Sequence, residues 1–199
     1  MANDTLNRPA CKIVLLGNSG VGKTSIVTRW TSGQWQSSIK PTVGANHQRK
    51  KVEIDDQEVD LFLWDTAGQE QFQALTPLYA RSAAAAIIVT AINDISSFDS
   101  IDTWIDLVNN SCDSLPPIIL AINKIDITEN IVLTHDEIED KYHSRFDGIF
   151  YVSAITGEEL DNLFMQAAVK GFHYSQSGVT GQAKATSLTA TKTSSGGCC

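Results

Sequence analysis

The chain has 199 residues, 42% of them hydrophobic, and a formal net charge of −8. This size allows one sizeable hydrophobic core, so we expect a single domain followed by a tail. The acidic balance argues against the Lys- and Arg-rich surfaces that bind nucleic acid, and no run approaches the ~18 apolar residues of a membrane-spanning helix.

Strand-like and helix-like patterns alternate along the chain, which predicts an α/β fold: a mostly parallel six-stranded sheet with helices on both faces. In chain order, the predicted strands cover residues 12–16, 47–54, 58–64, 83–90, 117–122 and 149–152, and the predicted helices cover 22–32, 96–110, 134–144 and 156–171. We expect Ser96 or Ser97 to be the N-cap of the second helix. The short interval 55–57 predicts a hairpin, which would give the sheet one antiparallel edge strand. Residues 33–46 and 66–80 remain as long connections, and loops of this length in a compact domain are usually functional.

A glycine-rich segment follows the first predicted strand. Gly17-Asn18-Ser19-Gly20-Val21-Gly22-Lys23-Thr24 fits the pattern GxxxxGK[ST], which between a strand and a helix is typical of a phosphate-binding loop. Its backbone N–H groups and the positive end of the next helix would hold the β- and γ-oxygens of a nucleoside triphosphate. Lys23 would add a positive charge, and the Thr24 hydroxyl would ligate Mg²⁺. A glycine turn without a ligand is the alternative interpretation.

A second motif indicates which base the nucleotide carries. Asn123-Lys124-Ile125-Asp126 follows the apolar residues 118–122, at the carboxyl end of a predicted strand, where open α/β sheets bind ligands. Asp126 can accept two hydrogen bonds from the N1–H and the 2-amino group of guanine. Adenine offers no such pair of donors, so the motif favours guanine.

A third motif, Trp64-Asp65-Thr66-Ala67-Gly68-Gln69-Glu70, follows the predicted strand 58–64. Asp65 can hold a metal-bound water, and the N–H of Gly68 can meet a γ-phosphate. The amide of Gln69 can orient an attacking water. The motif therefore predicts the machinery of phosphoryl transfer to water.

The motifs GNSGVGKT, PTVG, WDTAGQE, NKID and SA occur in this order, and a Cys-Cys pair ends the sequence. In this the chain resembles the small GTPases of the Ras superfamily, and within them the Rab branch. The resemblance covers residues from about 12 to 172 and the last two residues. It implies a single P-loop GTPase domain at 12–174, with a short N-terminal extension at 1–11 and a tail at 175–199.

The resemblance also implies roles for single residues. The two long connections correspond to switch I (33–46) and switch II (66–80), and Thr42 to the switch I threonine that reaches Mg²⁺ and the γ-phosphate. Trp35 corresponds to the aromatic residue that stacks on guanine, and the loop at Ser153 and Ala154 to the one whose backbone N–H reads the guanine carbonyl. The implied catalytic residues are Lys23 and Gln69, and the implied metal site comprises Thr24, Thr42 and, through water, Asp65. The implied nucleotide-binding residues are Gly17, Asn18, Ser19, Gly20, Val21, Gly22, Lys23, Thr24, Ser25, Trp35, Thr42, Gly68, Asn123, Lys124, Asp126, Ser153, Ala154 and Ile155.

Several residues depart from the Rab pattern. Ile155 stands where Rabs usually carry lysine, and Gln71 where they usually carry arginine. The run 43–47, Val-Gly-Ala-Asn-His, replaces the usual Ile-Gly-x-x-Phe. Of the aromatic triad that recognises effectors in Rabs, only Trp64 and Tyr79 are then matched. These departures affect effector recognition and the base pocket and leave the phosphate motifs intact.

The tail has a different composition from the rest of the chain. From about residue 175, Ser, Thr, Gly, Ala and Lys dominate, which predicts a flexible tether because little apolar surface is available for burial. The resemblance implies that Cys198 and Cys199 carry two geranylgeranyl groups; exposed thiols are the alternative. Two lipid chains give stable anchoring where one gives only marginal binding, and Lys184 and Lys192 add little charge.

These features together predict a Rab-like GTP/GDP switch that uses Mg²⁺ and regulates vesicle and membrane traffic. We expect it at the cytoplasmic face of an intracellular membrane, cycling with the cytosol. Because the switches contain no clear built-in arginine finger, hydrolysis should be slow without an activating protein. The implied partners are an exchange factor, an activating protein, a prenyl-binding escort or dissociation inhibitor, and effectors on the switches, without nucleic acid. A GTP-binding scaffold with negligible hydrolysis and a P-loop ATPase or kinase are the alternatives, and Asp126 disfavours the latter.

Overall fold

One six-stranded sheet with flanking helices forms the structure of residues 8–69 and 74–177, which this computed structural model describes. The strands are β1 (Ala10–Leu16), β2 (Ala45–Ile54), β3 (Gln57–Thr66), β4 (Ala85–Ala91), β5 (Ile118–Asn123) and β6 (Ile149–Tyr151). The helices are α1 (Lys23–Ser32), α2 (Thr76–Ala80), α3 (Ile95–Asp99), α4 (Ile101–Ser111), α5 (His135–Tyr142) and α6 (Leu160–Gln176), and a 3₁₀ turn at His143–Arg145 follows α5.

The strands lie in the order β2-β3-β1-β4-β5-β6. All neighbours pair in parallel except β2 and β3, which form an antiparallel hairpin. Its turn residues, Asp55 and Asp56, have φ values of 50° and 59°, which suit the tight turns that match strand twist. The predicted sheet with one antiparallel edge strand is confirmed.

Helices cover both faces of the sheet, as predicted. On one face, α1 and α6 pack against β-strand side chains that include Ile13 and Ile87. On the other face, α3, α4 and α5 pack against a set that includes Val14 and Leu120. β4 and β5 are buried along their whole length, which explains their continuous apolar sequences. The parallel strands β1, β3 and β5 therefore end at one well-supported edge, where their following loops meet.

The predicted helix at 96–110 is two helices, α3 and α4, which meet at Ser100. The Ser100 hydroxyl donates to the carbonyl oxygen of Ser96 at 2.7 Å, and such back-bonding bends helices. The predicted N-cap was wrong: the Asp94 carboxylate accepts from the backbone N–H of Ser96, so Asp94 is the cap. Ser97 is buried instead, and its hydroxyl accepts from the N–H of Ala91.

The sequence prediction missed α2, which lies within the connection 66–80. This helix has five residues, too few for a periodic pattern, and Pro77 in its first turn is its one clear start signal. The other connection, 33–44, contains no helix or strand.

The last helix begins later and ends later than predicted. Gly157 and Glu159 have φ values of 88° and 57°, a left-handed conformation that delays the start to Leu160. α6 then continues to Gln176.

Of the helices in residues 8–69 and 74–177, none combines the length and the apolar composition that crossing a membrane requires.

Candidate nucleotide-binding site

A cavity of about 330 Å³ lies at the edge of the sheet where β1 and β3 end. Residues of three segments line it: the loop and first helical turn at 19–25, the switch I segment 35–42, and the end of β3 with the residues after it, 66–69. The structure therefore brings Lys23, predicted for phosphate, Thr24 and Thr42, predicted for metal, and Gln69, predicted for water, around one space. These residues lie in three separate segments of the sequence.

The glycine-rich loop passes close to neighbouring atoms at two of its glycines. Gly17 has a φ of +139°, and a Cβ atom there would lie 2.3 Å from the carbonyl oxygen of Val89. Gly22 has a φ of +100°, and a Cβ atom there would lie 2.3 Å from Nδ2 of Asn123. A side chain at either position would displace the loop, so glycine is required for this backbone path.

The Asn18 side chain supports the loop from the side of α4. Its amide nitrogen donates to the Ser96 carbonyl and to the Ser100 hydroxyl, at 3.1 and 3.0 Å. Its Oδ1 accepts from Nε1 of Trp104 at 3.1 Å. The amide is thus engaged within the protein, and Asn18 can serve a nucleotide through its backbone.

Lys23 begins α1 and is buried, with 5% of its surface exposed. Its ammonium group donates to the carbonyl oxygens of Gly17 and Asn18, at 2.7 and 2.9 Å. Burial lowers the pKa of Lys23 to about 8, and the nearby Asp65 carboxylate opposes this shift. An incoming anion would stabilise the charged ammonium group, which makes Lys23 a suitable phosphate ligand beside the positive end of α1.

Asp65 lies at the centre of a cluster of oxygen atoms. Its Oδ2 accepts from the hydroxyl groups of Thr24 and Thr42, at 2.7 and 3.2 Å, and these hydroxyl oxygens are 2.8 Å apart. Within the described residues, its buried Oδ1 has no hydrogen-bond partner. Burial raises the pKa of the Asp65 carboxyl, opposed by Thr24, Lys23 and Thr42. A buried carboxylate oxygen lacking a partner beside two hydroxyls fits Mg²⁺, which prefers oxygen ligands.

The backbone of Gly68 lies directly on the phosphate-binding loop. A Cβ atom there would fall 2.5 Å from the Gly17 carbonyl oxygen and 2.5 Å from the Ser19 nitrogen. The N–H of Ala67 donates to the Gly44 carbonyl at 2.8 Å, which ties the start of switch II to switch I. Gln69 lines the cavity, and Gln71 lies outside the described residues.

Apart from Trp35, the predicted base-recognition residues lie beyond the lining of this cavity, at the ends of β5 and β6. Asn123 is 1% exposed; its amide nitrogen donates to the Val21 carbonyl at 2.8 Å, and its Oδ1 accepts from the N–H of Ala154 at 3.2 Å. The N–H of Ala154, expected to read guanine, is therefore engaged with Asn123 here. Lys124 follows in a left-handed conformation with a φ of 67°.

Ser153 orients Asp126. Its hydroxyl donates to Oδ1 of Asp126 at 2.6 Å and accepts from the N–H of Thr156 at 3.1 Å. Ser153 was predicted to act through its backbone, and this side-chain contact was not foreseen. It fixes one oxygen of the carboxylate on which the guanine prediction depends.

Two predicted base contacts are surface side chains. Trp35 is 40% exposed and lines the cavity beside Gln36 and Ser37. Ile155 is 48% exposed, on the loop after β6. An aromatic ring at the cavity mouth is suited to stacking on a flat base.

His47 completes a row of stacked rings that the sequence analysis did not recognise. Its ring lies 5.7 Å from that of Trp64, which lies 5.8 Å from that of Tyr79. The strand register pairs His47 with Trp64, and this hairpin alignment was the available signal. In the two switch segments, the apolar side chains of Val43 and Leu78 are 77% and 64% exposed.

Comparison with known proteins agrees with this geometry. The family model described as the Ras family matches residues 12–172. The Ras-related protein RABA5b of Arabidopsis thaliana is 35% identical over 155 residues, 77% of this chain and 70% of that protein. The Ypt/Rab-type GTPase ypt7 of Pyricularia oryzae is 40% identical over 124 residues, and the Ypt/Rab-type GTPase Rab7 of Gibberella zeae is 39% identical over 123 residues. Each of these two matches covers 60% of this chain and 60% of the fungal protein. Because the family match spans most of the chain, the chain belongs to the Ras family of small GTPases and resembles its Rab members.

Proposed function

We propose that the chain is a Rab-like molecular switch that binds GTP or GDP with Mg²⁺, hydrolyses GTP to GDP and phosphate, and regulates vesicle and membrane traffic. The observation that carries this proposal is the Asp65 cluster: two threonine hydroxyls donate to Oδ2, and the buried Oδ1 has no hydrogen-bond partner among the residues that the structure describes. The relatives named above as Rab proteins support the role in traffic.

Thr24, Thr42 and Asp65 would hold Mg²⁺, the last of them through water. When bound, the ion neutralises negative charge on the phosphate oxygens. Lys23 supplies a second positive charge from the first residue of α1. The Gln69 amide, at the cavity wall, orients the attacking water. Catalysis would thus depend on positioning and fixed charge.

Asp126 would select guanine through the base's two donors, with its carboxylate already held by Ser153. Trp35 would stack on the base, and Asn123 would keep the base-binding loop against the phosphate-binding loop. The same residues would bind GDP after hydrolysis.

Thr42 and Gly68 would make the switch respond to the γ-phosphate, since each belongs to one switch segment. Loss of that phosphate would remove a contact from both segments and let them relax. Effectors would then distinguish the two states on the face formed by His47, Trp64 and Tyr79. An exchange factor would accelerate GDP release, and an activating protein would accelerate the otherwise slow hydrolysis.

The tail would attach the switch to membranes. Cys198 and Cys199 lie outside the described residues, and we propose them as the sites of two geranylgeranyl groups. Two lipid chains give stable membrane binding, and a prenyl-binding escort or dissociation inhibitor would return the protein to the cytosol. The protein would then cycle between the cytosol and the cytoplasmic face of an intracellular membrane.

Two measurements test the nucleotide function. GTP binding should survive a large excess of ATP, because adenine cannot donate to Asp126 in the way guanine does. Single-turnover assays with γ-labelled GTP should then show Mg²⁺-dependent release of phosphate. Binding without phosphate release would indicate the alternative, a GTP-binding scaffold. Displacement of GTP by ATP would contradict the guanine assignment.

A further inference from the structure

Arg29, near the end of α1, connects two backbone segments that are remote in sequence. Its Nη1 donates to the carbonyl oxygen of Gly33 at 3.0 Å, and its Nη2 donates to the carbonyl oxygen of Thr156 at 3.2 Å. The first acceptor follows α1, and the second lies in the loop after β6. A planar guanidinium group can span two carbonyls in this way, whereas an ammonium group is a compact point charge.

The loop after β6 is shaped around this guanidinium group. Gly157 has a φ of +88°, and a Cβ atom there would lie 3.2 Å from Nε and 3.3 Å from Nη2 of Arg29. Glycine therefore meets two requirements at this position: it allows the left-handed backbone, and it leaves room for Arg29.

From Thr156, hydrogen bonds lead to the residue that would read guanine. The N–H of Thr156 donates to the Ser153 hydroxyl at 3.1 Å, and this hydroxyl donates to Asp126 at 2.6 Å. Between them, Ile155 is 48% exposed, so its side chain supplies little packing to hold the loop. Arg29 thus ties this loop to α1 through the Thr156 carbonyl.

The end of α1 that carries Arg29 is itself held by several contacts. The N–H of Gly33 donates to the Arg29 carbonyl at 2.9 Å, which closes the end of α1. The adjacent Trp30 donates from Nε1 to Asp161 at 2.8 Å and stacks on Phe164 with ring centres 4.3 Å apart. These contacts fix the end of α1 to α6. Arg29 then links this fixed end of α1 to the loop after β6.

We propose that Arg29 is a positioning residue for guanine: by holding the loop 153–157 against the end of α1, it keeps Ser153 aligned on Asp126. This inference rests on the proposed binding of guanine nucleotides. In this proposal, Arg29 does not contact the nucleotide. Arg29 acts through the path from Thr156 to Ser153.

The test compares Arg29→Met with wild type. Methionine keeps a long apolar side chain and removes both hydrogen bonds. With excess Mg²⁺, release of a fluorescent GDP analogue should become about five- to tenfold faster. In addition, the preference for GDP over IDP, which lacks the 2-amino group, should fall, because a misaligned Asp126 reads that group less well. A purely structural role would leave the GDP to IDP ratio unchanged.

Arg145→Met is the matched control. Arg145 pairs with Asp102, and the same substitution there should leave release and selectivity unchanged. Arg29→Lys provides a second test that does not depend on the folding of the methionine variant. It should show intermediate release, because one ammonium group keeps the charge and loses the two-carbonyl span.

Three outcomes would overturn the inference: release by Arg29→Met at the wild-type rate, faster release with an unchanged GDP to IDP ratio, or an Arg29→Lys variant identical to wild type. In each of these, wild type still binds GDP, so the proposed function stands. Failure of wild type to bind GDP at all would instead contradict the proposed function, and the inference with it.

Discussion

The amide nitrogen of Asn123 donates a 2.8 Å hydrogen bond to the carbonyl oxygen of Val21, 102 residues earlier in the chain. The same side chain accepts from the N–H of Ala154. One buried side chain thus joins the phosphate-binding loop, the end of β5 and the loop after β6. The loop that would bind the phosphates and the loop that would bind the base are therefore connected through the protein itself.

Asn123→Ala should weaken GDP binding by about tenfold to a hundredfold, because it leaves the Val21 carbonyl without its donor, at a cost of ~1–3 kcal/mol. Titration with a fluorescent GDP analogue measures this, and thermal unfolding should shift to lower temperature in parallel. Asn162→Ala is the control, since Asn162 bonds to Glu159 at the surface. Equal affinities for the Asn123 variant and wild type would show that the loops hold together without this bridge.

Asp126→Asn should weaken GTP binding and shift preference toward xanthosine triphosphate, because an amide can donate to the carbonyl that xanthine carries at position 2. Competition between the two nucleotides measures the change in preference. Asp140→Asn, on an exposed part of α5, should leave it unaltered. Unchanged GTP affinity in the Asp126 variant would remove this residue from the base site.

Gln69→Leu should preserve GTP binding and abolish most hydrolysis, because leucine cannot orient water. The protein would then remain in its GTP form, which nucleotide analysis after incubation detects. Gln57→Leu, at the exposed start of β3, is the control. Wild-type rates of phosphate release in the Gln69 variant would contradict the proposed positioning of water.

Ile155→Lys should slow the release of a fluorescent GDP analogue by about tenfold, because a lysine could add a charge-assisted hydrogen bond that orders the loop. Ile131→Lys is a closely matched control, since Ile131 is 49% exposed and Ile155 is 48% exposed. An equal or faster off-rate in the Ile155 variant would show that isoleucine already holds the base loop as well as lysine does.

Deletion of Cys198 and Cys199 should leave nucleotide binding unchanged and move the protein from membranes to the soluble fraction, because two lipid chains provide the anchor. Fractionation of cells that express each form measures the distribution. Cys112→Ser removes an internal thiol and should leave the membrane fraction intact. Membrane association that persists without the terminal pair would point to a protein receptor.

The sequence predicted the sheet well because its signals are local. Residues 13–16 and 118–122 are apolar runs of the kind that a buried parallel strand requires, and the glycine-rich loop can be recognised from its own sequence. The residues that would bind phosphate and metal follow these strands directly. Because parallel strands end at one edge of a sheet, these residues could be expected to lie close together.

The features that the sequence did not reveal depend on distant partners. The junction at Ser100 is held by the amide of Asn18, 82 residues away in sequence. The stacking of His47 on Trp64 needs the register of the hairpin, and the role of Arg29 needs the loop at Thr156. Asp94 is a different case, because an aspartate just before a helix is a favoured N-cap and could have been recognised.

The two outer strands of the sheet differ in what would limit their pairing with a second copy of the chain. In the described chain, β2 and β6 each have a strand on one side only, and such open edges invite pairing with another molecule. β2 carries three consecutive cations, at residues 49–51. Arg49 pairs with Asp60 and Lys50 donates to the Trp30 carbonyl, so the exposed Lys51 is the one of the three whose charge would mainly oppose a second β2 edge. β6 has three residues, Ile149–Tyr151, and offers too short a template for a stable ladder. Charge thus disfavours self-pairing at one edge of the sheet, and the short strand disfavours it at the other.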